Sequence, residues 1–390
     1  MYDFLHFIRY TQYMDYNTQA LNRHKELKGK ISVSLKDTLD SVDKLSVYYT
    51  PGVAAVSRYV AEHPEAARDY TWKNNSVAVV SDGSAVLGLG NIGPLGALPV
   101  MEGKSMLFKH FANIDAVPIV LDVHSADEII AAVKAIAPSF GGINLEDIAA
   151  PICFEVEEKL KEALPIPVFH DDQHGTAIVV LAALINALKV TGRNLDDCKI
   201  VCVGAGAAGT AIMKLIRAYG NPNVLAVDST GIISSDRTDL NADKKALLEI
   251  TNPQNQSGSL HDALSGADIF IGVSKAGLLN PDMVRTMAKD PIIFAMANPT
   301  PEIMPDEALK AGVAIMATGR SDFPNQINNS IAFPGIFRGA LDNHVSKITE
   351  KHKLDVAQVI ASLVENPTRD VIIPSTLDDR LVPAIAKVIV

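Results

Sequence analysis

Residues 199–219 constrain the fold more than any other stretch. Five residues of strand character, Lys199-Ile200-Val201-Cys202-Val203, run into Gly204-Ala205-Gly206-Ala207-Ala208-Gly209, and helical spacing then continues to Tyr219. In such a turn the first glycine permits the sharp bend, the second lets backbone approach a pyrophosphate, and the third lets helix and strand pack closely. Backbone N–H groups at the helix start, those of Ala207 and Ala208 among them, would hold the phosphates. Asp228 ends the next apolar run, nineteen residues after Gly209, where a carboxylate can accept hydrogen bonds from ribose hydroxyls. A glycine-rich turn alone would also suit plain packing. Strand, turn, helix, second strand and acid at these offsets point instead to a bound dinucleotide. Asp228 opposes a 2′-phosphate, and Ser229 and Thr230 add no positive charge, so NAD is favoured; Arg237, Lys244 and Lys245 keep NADP open.

The alternation continues downstream. Strand character at 199–203, 224–227, 269–273, 292–296 and 313–316 alternates with helical spacing at 207–219, 282–288 and 306–311. That pattern predicts a parallel sheet covered on both faces by helices. Upstream, 77–80 and 117–123 read as short buried strands, another ends at Phe169 after Pro165 and Pro167, and 126–136 and 155–164 read as helices. A chain of 390 residues can hold two or three cores. Boundaries are expected near Asp172 and Asn328. They give a helical segment over 1–70, an α/β catalytic domain over 71–172 rejoined by 328–390, and a Rossmann-type doubly wound parallel sheet domain over 173–327.

Composition narrows the function. Lys+Arg 35 against Asp+Glu 45 leaves a formal net charge of −10, without the basic face that nucleic acid or an anionic membrane would require. Three cysteines, none in a Cys-x-x-Cys pair, suit a reduced cytoplasmic protein and not a disulfide scaffold. No signal peptide is expected, because His6 and Arg9 break the first apolar run. Residues 83–101 lack charge over about the length of a membrane span, but their five glycines and two prolines predict a tight loop. Residues 173–188 predict a buried core helix.

Two polar clusters stand out: Glu146-Asp147 and His170-Asp171-Asp172-Gln173-His174. Carboxylates converging on a point repel unless a cation neutralises them, and oxygen ligands suit Mg²⁺ or Mn²⁺. Taken alone, the first pair also reads as a solvated turn, and Asp171-Asp172 as the cap of a helix starting near Thr176. His170 and His174 are expected to be hydrogen-bonding partners of the acids.

Several further segments resemble the malic enzyme family. They are Tyr48-Tyr49-Thr50-Pro51-Gly52-Val53, Ser81-Asp82-Gly83-Ser84-Ala85-Val86-Leu87-Gly88-Leu89-Gly90-Asn91-Ile92-Gly93, Glu102-Gly103-Lys104, Leu145-Glu146-Asp147-Ile148, His170 through Ala177, Ala297-Asn298-Pro299-Thr300-Pro301-Glu302 and Asn328-Asn329. The resemblance runs in family order from about Gly29 to the end and is greatest to the compact bacterial members. It implies oxidative decarboxylation of L-malate to pyruvate and CO₂, with NAD(P)⁺ reduced and a divalent metal required. It puts the metal ligands on Glu146, Asp147 and Asp172, the general base on Lys104, the general acid on Tyr49, and nicotinamide and substrate contacts on Asn298 and Asn329. A homodimer is the expected assembly, with residues 1–70 as its contact. Lys109 and Tyr48 are the competing base and acid, and Asp171 would orient the base. One departure matters: Ala85 stands where larger members carry a carboxylate-clamping arginine, and an alanine cannot form that pair. Two other readings share these residues: a metal-dependent oxaloacetate decarboxylase without net redox, and a nucleotide-binding protein with a degenerate site.

Overall fold

A computed structural model, describing residues 16–86 and 88–390, divides the chain between two sheets. The first fifteen residues of the expected N-terminal segment, and Leu87, lie outside the described residues. Among the described residues the chain opens with the helices α1 (Tyr16–Leu27), α2 (Val42–Tyr48) and α3 (Val53–Glu62). None of them contains a buried residue.

The first sheet has the order β2-β1-β3-β4, all parallel, from β1 (Ser76–Ser81), β2 (Asp115–Val120), β3 (Gly142–Leu145) and β4 (Val168–His170). Its crossovers are α4 (Gly93–Ala112), α5 (Ala126–Ile136) and α6 (Ile152–Ala163). Every residue of β1 is buried, as a parallel strand covered on both faces requires. A long helix, α7 (Asp171–Thr191), then leads to the second sheet. It is apolar and long enough to cross a bilayer, but it is packed inside the fold along most of its length.

The second sheet has the order β10-β9-β8-β5-β6-β7, from β5 (Lys199–Val203), β6 (Asn223–Asp228), β7 (Gly231–Ile232), β8 (Ile269–Gly272), β9 (Ile292–Ala295) and β10 (Ile315–Thr318). All pair in parallel except β7, which returns antiparallel along β6. The order reverses between β5 and β8, the switch point where open α/β sheets bind ligands. Helix α8 (Ala207–Tyr219) follows β5. Near the end of the chain, α9 (Phe333–Asp342) returns to α4, where Phe333 and Phe337 stack edge-on against Phe108, and α10 (Glu350–Ser362) packs on α7.

The fold departs from the sequence expectation in one place that matters. Residues 83–101 are not a single loop: from Gly93 onward they form the first half of α4. Pro94 sits in the first turn, where its missing N–H costs nothing, and only Pro99 interrupts the ladder. Burial of Met101, Phe108 and Ala112 outweighs the poor helix propensity of Gly96 and Gly103.

Candidate active site

A cavity of about 840 Å³ opens between the C-terminal ends of the two sheets. Lys104, Glu146, Asp147 and Asp172 line one wall, Gly206, Ala207 and Ala208 another, and Asn298 and Asn329 close it. All but Lys104, which lies midway along α4, come from a strand end or a helix start. Glu146 and Asp147 follow β3, Asp172 is in the first turn of α7, and the glycine turn joins β5 to α8. Asn298 follows β9, with its backbone oxygen so close to Gly88 that any side chain there would collide.

The glycine turn has the backbone geometry its spacing predicts. Gly204 adopts φ +112°, and a side chain on Gly209 would strike the Gly204 carbonyl, whereas Gly206 faces open space. Asp228 ends β6 outside this cavity, and the basic residues downstream have folded back onto it. Arg237 Nη1 lies 2.8 Å from Oδ1, Arg237 Nη2 3.0 Å from Oδ2, and Lys244 Nζ 2.6 Å from Oδ2. Partial burial works against the charge, but these two cations hold the carboxyl far below the usual carboxylate range. The negative charge expected to oppose a 2′-phosphate is therefore paired with Arg237 and Lys244, two of the residues that left NADP open. The turn through β7 brings compensation that the linear sequence left open.

Lys104 is nearly buried on α4 and bridges two acids, 2.8 Å from Glu146 Oε1 and 2.5 Å from Asp171 Oδ2, with its ammonium 4.2 Å above the Phe333 ring. Burial disfavours that ammonium, yet Asp171, Glu146 and Asp172 outweigh burial and raise its pKa. The acids respond in kind. Burial and the Asp172 charge push Glu146 up to about 7; burial, with Glu146 nearby, pushes Asp171 up to about 7. Asp172 Oδ2 accepts the Asp147 N–H at 2.7 Å, so the two clusters share a wall of the cavity. Glu146, Asp147 and Asp172 supply hard oxygen donors of the kind Mg²⁺ or Mn²⁺ prefers. Among the described residues, however, no group of three acidic, histidine or cysteine side chains already converges at ligand geometry.

The competing lysine is accounted for: Lys109 is exposed and pairs with Asp115 at 2.8 Å. Tyr49 does not line the cavity; its side chain is 67% exposed, while Tyr48 donates to Asp37 Oδ2 at 2.6 Å. Ala85 does line it, and its N–H donates to the Asp147 carbonyl at 3.0 Å. Of the two histidines, His174 is hydrogen-bonded, but to an acid outside both clusters, its Nε2 lying 2.8 Å from Glu157 Oε2. The His170 ring is not. Both of its ring nitrogens are buried without a hydrogen-bond partner, and burial holds it neutral by lowering its pKa.

Two supporting acids were not anticipated. Glu157 on α6 accepts the His170 N–H at 3.0 Å and the Lys161 ammonium at 2.6 Å while holding His174, so it fixes both ends of the turn carrying Asp171 and Asp172. Glu302, fully buried, accepts the N–H groups of Ser274 and Ala297, both at 3.1 Å, and so joins the loops after β8 and β9. Helical spacing placed Glu157 on a helix but could not say which face it used. Glu302 lay in a recognised motif with no role attached.

A dinucleotide-type sheet whose switch point opens onto a lysine-carboxylate cluster defines a coenzyme-dependent oxidoreductase with acid–base and metal chemistry in one cleft. The malic enzyme N-terminal domain model matches residues 28–161, and the malic enzyme NAD binding domain model matches 173–387. The chain belongs to the malic enzyme family. It is 52% identical over 379 residues to the bifunctional malic/malolactic enzyme of Bacillus subtilis, covering 96% of this chain and 92% of that one. To the NAD-dependent malic enzyme of Geobacillus stearothermophilus it is 55% identical over 364 residues, covering 93% and 76%. The crystal structure of an NAD-dependent malic enzyme from Thermotoga maritima superposes with a TM-score of 0.92 at 51% identity, covering 95% of this chain and 98% of that one.

Proposed function

We propose that the protein oxidises and decarboxylates L-malate to pyruvate and CO₂ while reducing NAD⁺, accepting NADP⁺ as an alternative, with Mn²⁺ or Mg²⁺ held by Glu146, Asp147 and Asp172. The observation that carries this reading is the meeting of Lys104, three carboxylates and the glycine turn in one cavity. Held by Glu146, Asp147 and Asp172, a divalent cation would supply Lewis acidity to stabilise the negative charge that develops during decarboxylation. Once a cation on Glu146 offsets the acids that hold the ammonium charged, Lys104 would take the C2 hydroxyl proton, the bound nicotinamide would accept the hydride, and Asp171 would keep the lysine amine aimed at that oxygen. The Asn298 and Asn329 amides orient substrate and nicotinamide. Tyr49 then returns a proton to C3 of enolpyruvate. Three buried cysteines, all free, fit a cytoplasmic setting. The test is absorbance at the reduced-nicotinamide band with L-malate and Mn²⁺, pyruvate being assayed in parallel. Decarboxylation of oxaloacetate without any coenzyme reduction from malate would favour the lyase reading instead.

Asp172→Asn should lower malate oxidation by roughly 10²-fold or more, the scale of losing a charged ligand whose replacement is isosteric. The asparagine oxygen can still accept the Asp147 N–H, so the turn should stay folded. Paramagnetic titration with Mn²⁺ should show weaker binding. Full activity at ordinary Mn²⁺ concentration would remove Asp172 from the metal site.

Coenzyme preference follows from the compensated Asp228. Asp228→Ser removes the ribose acceptor, leaves Lys244 without its acid and leaves Arg237 held by Asp239 alone, a receptor for a 2′-phosphate. The ratio of kcat/KM for NAD⁺ to that for NADP⁺ should fall roughly ten- to hundredfold, the worth of one to two charge-assisted hydrogen bonds. An unchanged ratio would separate Asp228 from coenzyme choice.

A further inference from the structure

A dicarboxylate substrate brings two negative charges into a cavity whose described lining contains no arginine. Its lysines are Lys104 and Lys30. Lys104 is committed to Glu146 and Asp171. Lys30 stands differently. Its backbone N–H donates to Glu102 Oε2 at 3.1 Å, and its ammonium donates to the Pro99 carbonyl at 2.6 Å. The preceding Gly29 has φ +111°, and a side chain there would press on the Glu102 carboxylate at 3.2 Å. That clamp lays the lysine along α4, with its nitrogen 3.4 Å from where a Cβ on Gly103 would stand. The charge therefore rests against the residue next to Lys104, at the cavity wall. An ammonium carries three donors, and the Pro99 carbonyl takes one.

We propose that Lys30 binds the C1 carboxylate of the substrate, the positive charge that Ala85 cannot provide. The inference rests on the malate reading above and adds to it a residue from the N-terminal segment. C1 is assigned because it keeps its charge through both chemical steps. A cation on C4 would hold back the electrons that must flow toward C2 as CO₂ departs, and so would bind the ground state better than the transition state. In this arrangement Glu102 and Gly29 set the backbone, Gly103 leaves the helix surface bare for the ammonium, and Lys30 selects 2-hydroxy acids by their common carboxylate.

The test is a comparison of Lys30→Met and Lys30→Arg with wild type, with Mn²⁺ present throughout. Lys30→Met should raise both the KM for L-malate and the product-inhibition constant for pyruvate roughly ten- to hundredfold, the worth of one charge-assisted hydrogen bond. The NAD⁺ dissociation constant and the melting temperature should not change, kcat should stay within about threefold because C1 is bound equally in ground and transition states, and Lys30→Arg should recover most of the affinity. Unchanged malate and pyruvate constants would overturn the assignment. So would a loss confined to malate, which places Lys30 on C4. Parallel weakening of NAD⁺ with a lower melting temperature would also overturn it, because the lysine would then only pin the segment to α4. A wild-type protein that binds NAD⁺ but neither oxidises malate nor binds pyruvate would fell the malate reading itself, and this inference with it.

Discussion

Lys104→Met should lower malate oxidation by roughly 10²–10⁴-fold, the usual worth of a positioned base, while slowing decarboxylation of supplied oxaloacetate much less. Oxaloacetate already has a ketone at C2, so no hydroxyl proton has to be removed. The same substitution should be costly to the fold. It leaves Asp171 without its cation and Glu146 with only the Asn144 amide at 2.8 Å, both acids being buried, and breaking a buried pair from one side costs about 3–5 kcal/mol. The cost should depend on pH with a definite sign. Both carboxyls are already pushed up to about 7 with the lysine in place, and removing it raises them further. A carboxyl whose pKa is higher folded than unfolded binds more protons in the native state, so stability falls as pH rises from about 4 through the raised value. In chelator, the melting-temperature gap between variant and wild type should be small near pH 5.5 and large near pH 8. A gap independent of pH would mean that the two acids do not carry the charge assigned to them. Equal loss of both reactions would mean that Lys104 serves the decarboxylation step as well.

How far the sequence reached is best judged on particular elements. β5 and α8 occupy the expected residues, because the glycine turn fixes where one ends and the other begins. α5 does so as well, because Ser125 and Glu128 close its first turn in a capping box. Where no such punctuation exists, the reading slips. The strand expected at 313–316 forms at Ile315–Thr318: Val313 and Ala314 are buried, but they precede the ladder with β9. β3 went unread because its four residues begin at a glycine and show no alternation, yet it places Glu146 and Asp147. α4 was unreadable because glycine and proline argue locally against a helix that only tertiary burial can sustain.

The candidate site shows the same limit. Lys104, the three carboxylates, the glycine turn and both asparagines meet in one cavity, as the motifs imply. What the motifs could not carry is who stands beside whom. Arg237 and Lys244 reach Asp228 only because β7 doubles back along β6. Lys30 reaches α4 only because of the Glu102 clamp, and Glu157 supports the acidic turn from a neighbouring crossover. These are pairings at sequence separations of 9 to 72 residues, and no periodicity encodes them.

Tyr49 is the exception among the motif residues, and it leads to the second large effect. Its ring is 67% exposed and it does not line the cavity that holds Lys104. The segment carrying it is apolar but unpacked: α1, α2 and α3 bury nothing, while Val42, Val47, Val53, Val56 and Tyr59 face outward. An amphipathic helix with an exposed apolar face is built to be covered. If a second copy of this chain covers it, as the homodimer expected from the sequence implies, each segment would carry Tyr49 into the other subunit's cavity. Tyr49→Phe and Lys104→Met should then each be nearly inactive as homodimers. Co-expressed, they should complement. A mixed dimer pairs the intact Lys104 of one subunit with the intact Tyr49 of the other, so one of its two sites works. With random pairing half the dimers are mixed, and total activity should recover to about one quarter of wild type. Purifying the mixed species through two different tags should raise that to about one half. If each Tyr49 served its own subunit, every site in the mixed dimer would lack either base or acid, and activity would stay at the homodimer level. Tyr48→Phe is the control: its hydroxyl is bonded to Asp37, so it should leave the malate reaction largely intact.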